Sequence, residues 1–250
     1  MADLLPTPDG WDYAARLADV KARVHLAEAA AGRAGAGVRL LVATKNFGPE
    51  AAAAAVQAGA SLVGESRMQE LAVKGQALRE AGARVHVIGQ LQRNKAREAI
   101  AWADCVQTVD SMPLAERLDR LATDAGRPLD VMIQVNVSGE ESKAGVSPDV
   151  ALDFATEVAS LPALRVVGFM TIGLNSSDEA EVRAGYARLA AIRDRALVDA
   201  DSGARAGLRD AWELSMGMSN DLEWAIAEGA TMVRVGTAVM GERPTPGAAT

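Results

Sequence analysis

The chain has 250 residues, 49% of them hydrophobic and 24% charged, which is enough apolar material for a large buried core and too much for a disordered polymer. Twenty-six basic against 33 acidic residues leave a formal net charge of -7, so neither nucleic acid nor an anionic membrane surface is an expected partner. The single cysteine, Cys105, excludes an internal disulfide and a multi-cysteine metal site.

The opening stretch MADLLPTPDG lacks the basic and apolar regions of a secretory signal, and no apolar run reaches about 18 residues. The chain therefore reads as cytoplasmic, and the N-x-S/T matches at Asn136 and Asn175 as chance. From about residue 11 to 34 it is Ala-rich, with Leu17, Val20, Val24 and Ala27 at helical spacing, before the Gly-rich stretch 32–37. Residues 1–37 are thus a leading helix and linker. A Val/Leu-rich strand is predicted over Val38 to Thr44, and a helix with Pro49 in its first turn runs on to Gly59.

The alternation then repeats. Further apolar strands are predicted near 61–64, 85–89, 105–109, 131–137, 164–170, 212–214 and 232–235, with a helical segment between successive strands. Strands that are apolar on both faces and alternate with helices imply a parallel sheet covered on both sides. Eight such units predict closure into a single-domain α/β protein, a (β/α)8 barrel of the TIM type with an additional N-terminal helix; an open doubly wound sheet is the alternative. The tail 244–250, rich in small residues and proline, is expected to fray.

In a barrel, chemistry gathers where strands end. Only His25 and His86 are available, one on the leading helix and one inside a strand, so Ser-His-Asp catalysis and a His-rich metal site both lack their parts. The segment 236–241 matches a P-loop only in spacing, because Glu242 stands where that motif needs lysine. Of 26 basic residues only five are lysines (Lys21, Lys45, Lys74, Lys95 and Lys143), so a lysine at a strand end is notable. Lys45 follows Leu40-Leu41-Val42-Ala43 directly. It is either a solvated surface charge or an amine partly withdrawn from water that condenses with an aldehyde.

The loops after the seventh and eighth strands offer Ser215-Met-Gly217-Met-Ser219 and Gly236-Thr237, suited either to capping ordinary helices or to cradling a phosphate across the mouth from Lys45. Arg234 is predicted to point inward, toward a ligand nitrogen or into an ion pair with Glu65 or Asp110. An aldehyde-reactive amine, a phosphate cradle and a buried guanidinium together match the needs of pyridoxal 5′-phosphate.

The chain resembles the pyridoxal-phosphate homeostasis proteins, whose barrel is similar to the N-terminal domain of alanine racemase. The resemblance spans roughly Leu40 to Arg243 and is carried by LVATK (41–45), GESRMQEL (64–71), HVIGQLQRNKA (86–96), QTVDS (107–111), IQVNVSGEESKAGV (133–146), GFMTIG (168–173), LSMGMSNDLEWAI (214–226) and VRVGTAVMGER (233–243). It implies a type III pyridoxal-phosphate fold without the C-terminal β-domain, and a lysine aldimine at Lys45. It also implies phosphate contacts from Ser215, Gly236 and Thr237, and Arg234 at the pyridine nitrogen. The cofactor-binding set so implied is Lys45, Ser66, Met170, Ser215, Met216, Gly217, Arg234, Gly236 and Thr237, with no catalytic residue and no metal. Ser66 departs from the family's usual G-E-N-R, and Phe47 stands where many members carry a second lysine.

An arginine at the pyridine nitrogen stays protonated and leaves that nitrogen unprotonated, so the ring is a weak electron sink. The expected function is reversible binding and delivery of pyridoxal 5′-phosphate by a monomer, to apo enzymes that use it, with little or no turnover. A slow amino-acid racemase is the alternative, but it needs a second base. Tyr13 and Tyr186, the only tyrosines, fall on predicted helices. A third possibility is a protein-binding module using the Lys95 and Lys143 loops, with Lys143 either paired to Glu140 or Glu141 or acting as a second acceptor for the aldehyde.

Overall fold

The computed structural model describes residues 4–7, 10–140 and 143–242. After α1 (Tyr13–Ala30) the chain alternates strand and helix: β1 (Arg39–Ala43), α2 (Pro49–Gln57), β2 (Leu62–Glu65), α3 (Met68–Glu80), β3 (Arg84–Val87), α4 (Ala96–Trp102), β4 (Cys105–Val109) and α5 (Met112–Asp124). The second half continues with β5 (Leu129–Gln134), α6 (Ala151–Ala159), β6 (Leu164–Met170), α7 (Glu179–Asp201), β7 (Glu213–Ser215), α8 (Leu222–Ala227), β8 (Met232–Val235) and α9 (Thr237–Met240). All neighbouring strands are parallel and the ring closes through β1 on β8, with Leu41 opposite Arg234 and Val42 opposite Val235. The closed barrel replaces the open-sheet alternative. The seventh strand begins and ends one residue later than predicted, and the tail 244–250 lies outside the described residues.

Local chemistry sets the element ends. Asp12 caps α1 by accepting from the Ala15 amide, Asp178 caps α7 through the Ala180 and Glu181 amides, and Pro49 opens α2. The leading helix joins the outer ring: Arg23 holds Glu223 on α8 and the Ser219 carbonyl, Arg33 donates to the carbonyls of Ile226 and Ala230, and the Trp11 indole donates to Val239. These bonds brace the segments that follow β7 and β8.

Two apolar layers form. Residues on the outer strand faces, such as Val42, Ile133, Phe169 and Leu214, pack beneath the helices. Inside the ring lie Leu41, Leu62 and Met232 with Ile88, and Cys105, Met132, Val167 and Met170. At the strands' N-terminal ends the interior turns charged, with Arg39 on Glu213 and both Arg84 and Arg165 on Asp130. Toward the mouth it becomes polar again.

Between these zones sits His86, buried, with Nδ1 at 2.7 Å from the Gln107 side-chain amide. It is structural, as its place inside a strand suggested. Burial, reinforced by the charges of Arg39 and Arg84, lowers its pKa from 6.5 to about 3. Between those values the unfolded chain binds a proton that the folded chain refuses, so stability present above pH 6.5 is lost as the pH falls. Urea unfolding at pH 7 and pH 5 should show a loss on the order of 2 kcal/mol that His86→Gln abolishes; an unchanged pH difference in the variant would assign the acid sensitivity elsewhere.

Candidate functional site

Because β1 closes on β8, the loop bearing Lys45 stands beside Gly236 and Thr237 on one side and beside Glu65 and Ser66, after β2, on the other. The lysine and the loop after β8 are thus ring neighbours rather than opposite walls of the mouth, and the loop after β7 lies one strand further round. Of the two readings of Lys45, a solvated charge and an amine partly withdrawn from water, its exposure matches the first, because its side chain begins above the last buried residues of β1 and the flanking Ser66, Gly236 and Thr237 are too small to cover it.

The backbone around that lysine is tied on every side. Thr44 donates from its amide to the Gly64 carbonyl and from its hydroxyl to Glu65, and its carbonyl accepts from the Lys74 ammonium at 2.8 Å. The Asn46 amide donates to the Glu70 carboxylate at 2.6 Å, and the Asn46 carbonyl accepts from the Leu5 amide at 2.8 Å. Asn46 is the one described non-glycine residue with positive φ, at 73°, a conformation its short amide side chain tolerates.

Lys74 is wholly buried, with its nitrogen 2.6 Å from Glu65 and 3.4 Å from Glu70. Burial pushes the Glu65 carboxyl upward and Lys74 draws it back only in part. Burial also acts upward on Glu70, but the Asn46 amide, Lys74 and Arg67 together hold it below its ordinary value. The sequence by itself assigns Lys74 no role, and only the fold brings Glu65 and the Thr44 carbonyl to it.

On the other side, Arg234 is buried and points inward as predicted, but it pairs with neither Glu65 nor Asp110. Its guanidinium donates to the Ser215 hydroxyl at 2.9 Å and to the Thr171 carbonyl at 2.8 Å. Ser215 in turn donates to Gln107 at 2.6 Å, which reaches His86. Burial works against the Arg234 charge, and Tyr186 and Asp221 partly offset it. A guanidinium carries five N–H donors, so two bonds leave capacity for an acceptor at the mouth.

Ser215 is therefore engaged inside the barrel, while Gly236 is half-buried and Thr237 exposed at the rim. Gly217 has φ of +87°, and a Cβ there would stand 2.4 Å from the Ala225 side chain, so the turn onto α8 needs glycine. Met170 is an interior apolar residue beneath the mouth. Met216, in the expected cofactor-binding set, lies in the outer core with its amide bonded to the Met232 carbonyl. Ser66 is half-buried, and its carbonyl is approached so closely by Gly89 that a Cβ there would stand 2.2 Å away.

Tyr186 on α7 donates to Asp221, which also accepts from the Met218 amide, so this pair pins the loop after β7. Burial and the neighbouring Asp221 push the Tyr186 hydroxyl's pKa up. Lys143 pairs with Glu140 and donates to the Gly173 carbonyl, whereas Glu141 lies outside the described residues; Lys95 pairs with Glu98. A cleft of about 350 Å3 near Lys21, Arg39 and Arg84 opens at the opposite end of the barrel, where both arginines already face carboxylates.

Residues 16–244 match the family model for the N-terminal domain of alanine racemase. The pyridoxal phosphate homeostasis protein of Pseudomonas aeruginosa is 40% identical over 230 residues, covering 92% of this chain and 95% of that protein. The chain belongs to the pyridoxal phosphate homeostasis protein family. Within solved structures, an unknown protein from Bifidobacterium adolescentis superposes with a TM-score of 0.85 at 36% identity, covering 96% of this chain and all of that one. PipY of Synechococcus elongatus, solved with pyridoxal phosphate bound, superposes with a TM-score of 0.78 at 32% identity, covering 92% of this chain and all of PipY.

Removing one partner of a buried ion pair leaves the other charge uncompensated. Lys74→Met should lower stability to urea by about 3–5 kcal/mol, and Glu65→Gln added to it should recover most of the loss. Additive losses in the double variant would show that the two side chains do not act as a pair.

Proposed function

We propose that this protein binds pyridoxal 5′-phosphate reversibly through Lys45 and serves to hold and deliver it, acting as a monomer in the cytoplasm, with apo enzymes that need the cofactor as recipients. The observation that carries this reading is the adjacency of β1 and β8, which sets an exposed primary amine beside a rim of small residues, above the strand that carries a buried arginine. Bound, the cofactor supplies an aldehyde and an aromatic ring that accepts electrons. Lys45 would hold the group through its amine, which can condense with an aldehyde with loss of water and be freed again by water or another amine. Thr237, with the amides at the start of α9, would hold the phosphate. Arg234 would hold the ring nitrogen as a donor that keeps its own protons, so that nitrogen would stay unprotonated and the ring would be a poor sink.

Family membership supports holding rather than turnover, and so does the state of the tyrosines. Racemisation needs a second base on the opposite face of the adduct. The Tyr13 hydroxyl is engaged with Thr7, and the Tyr186 hydroxyl with Asp221, where its proton is held more tightly than usual. Among the described residues no helix is long and apolar enough to cross a membrane.

Adding pyridoxal 5′-phosphate to the purified protein should produce a near-visible absorption band that Lys45→Ala abolishes while the circular dichroism spectrum is unchanged. A band that survives the substitution would remove Lys45 from the reading. D-amino acid formed from single L-amino acids at enzyme-like rates would favour the racemase instead.

A further inference from the structure

An exposed lysine stem has four rotatable bonds, and its freedom works against forming a bond to a carbonyl carbon held elsewhere on the rim. Such a reaction needs the atoms within about 3–3.5 Å and aligned. The structure does not restrain the Lys45 side chain itself, but it fixes the peptide units on both sides. The carbonyl before Lys45 accepts from Lys74, and the amide after it donates to Glu70. Lys74 is itself immobilised by Glu65, and Glu70 by Arg67 at 3.0 Å. All of these partners come from β2, α3 and the turn between them, so the clamp refers the direction of the Lys45 Cα–Cβ bond to the neighbouring unit of the barrel. Placing an ammonium and two carboxylates under a loop is costly, and an apolar contact would hold the loop without that cost. What the charged set adds is directional hydrogen bonding to two chosen backbone atoms.

We propose that Glu70, through the Asn46 amide, and Lys74, through the Thr44 carbonyl, are positioning residues that set the direction in which Lys45 presents its amine. The inference rests on the reading of Lys45 given above. It separates formation of the covalent bond from the rest of ligand binding, and the two are measured with different ligands. Pyridoxine 5′-phosphate carries the same phosphate and ring but no aldehyde, so its affinity reports the pocket alone.

Glu70→Ala should weaken binding of pyridoxal 5′-phosphate by about tenfold or more and slow the rise of its absorption band, while pyridoxine 5′-phosphate binds within about twofold of wild type. Glu70→Gln keeps an acceptor for the Asn46 amide and should restore most of the loss. The Glu65→Gln/Lys74→Met double variant, which lacks the donor to Thr44 but leaves no buried charge, should show the same selective defect. Equal losses for both ligands, no loss for either, or failure of Glu70→Gln to recover would overturn the positioning role. Lys45→Ala serves as the reference. If it does not lower the preference for the aldehyde ligand, the reading of Lys45 fails and the clamp with it; if it does while the Glu70 and Lys74 variants keep that preference, the clamp alone fails.

Discussion

The pairing of the first strand with the last organises this molecule. Leu41 and Val42 bond in register with Arg234 and Val235, and that closure brings residues some 190 positions apart in sequence to adjacent places on one rim. Without it, Lys45 would be a surface lysine on a Val/Leu-rich strand and Arg234 an arginine with no reason to be buried. The leading helix reinforces the closure from outside, since Arg23, Arg33 and Trp11 are all bonded to segments that follow β7 and β8.

The barrel interior varies in character along its axis, and each zone does something different. At the base, arginines and carboxylates at the starts of the strands compensate one another. The middle is filled by Leu41, Leu62, Met132, Met232 and their neighbours, which keep water out and hold His86 neutral. Above it, Gln107, Ser215 and Arg234 form a hydrogen-bonded row that places one guanidinium at the floor of the mouth. A buried arginine is tolerated there because its partners are fixed by three strands, and a fixed donor is what an acceptor nitrogen in a ligand would meet.

Much of this was legible from residue order. Apolar runs separated by helical segments announced eight strands, Pro49 announced a helix start, and Lys45, Arg234 and the glycines near the chain's end drew notice because strand ends are where a barrel does its chemistry. Ring closure implied that the first and eighth loops meet, yet the sequence alone placed them across the mouth. What could not be read were partnerships made by non-local packing. Nothing in the segment around Lys74 foretells Glu65 and the Thr44 carbonyl as its partners. Gln107 read as a strand residue and Tyr186 as a helix residue. Met216 belongs to the motif after β7, and only the fold shows its side chain packing in the outer core.

Borohydride converts a lysine–carbonyl adduct into a stable secondary amine, so reduction of the protein mixed with pyridoxal 5′-phosphate, followed by proteolysis and mass mapping, locates the reacting nitrogen directly. The modified peptide should be the one that contains Lys45, with Lys74, Lys95 and Lys143 unlabelled. A label concentrated on any of those three, or none anywhere, would contradict the account of an amine held at the seam between the first and last strands.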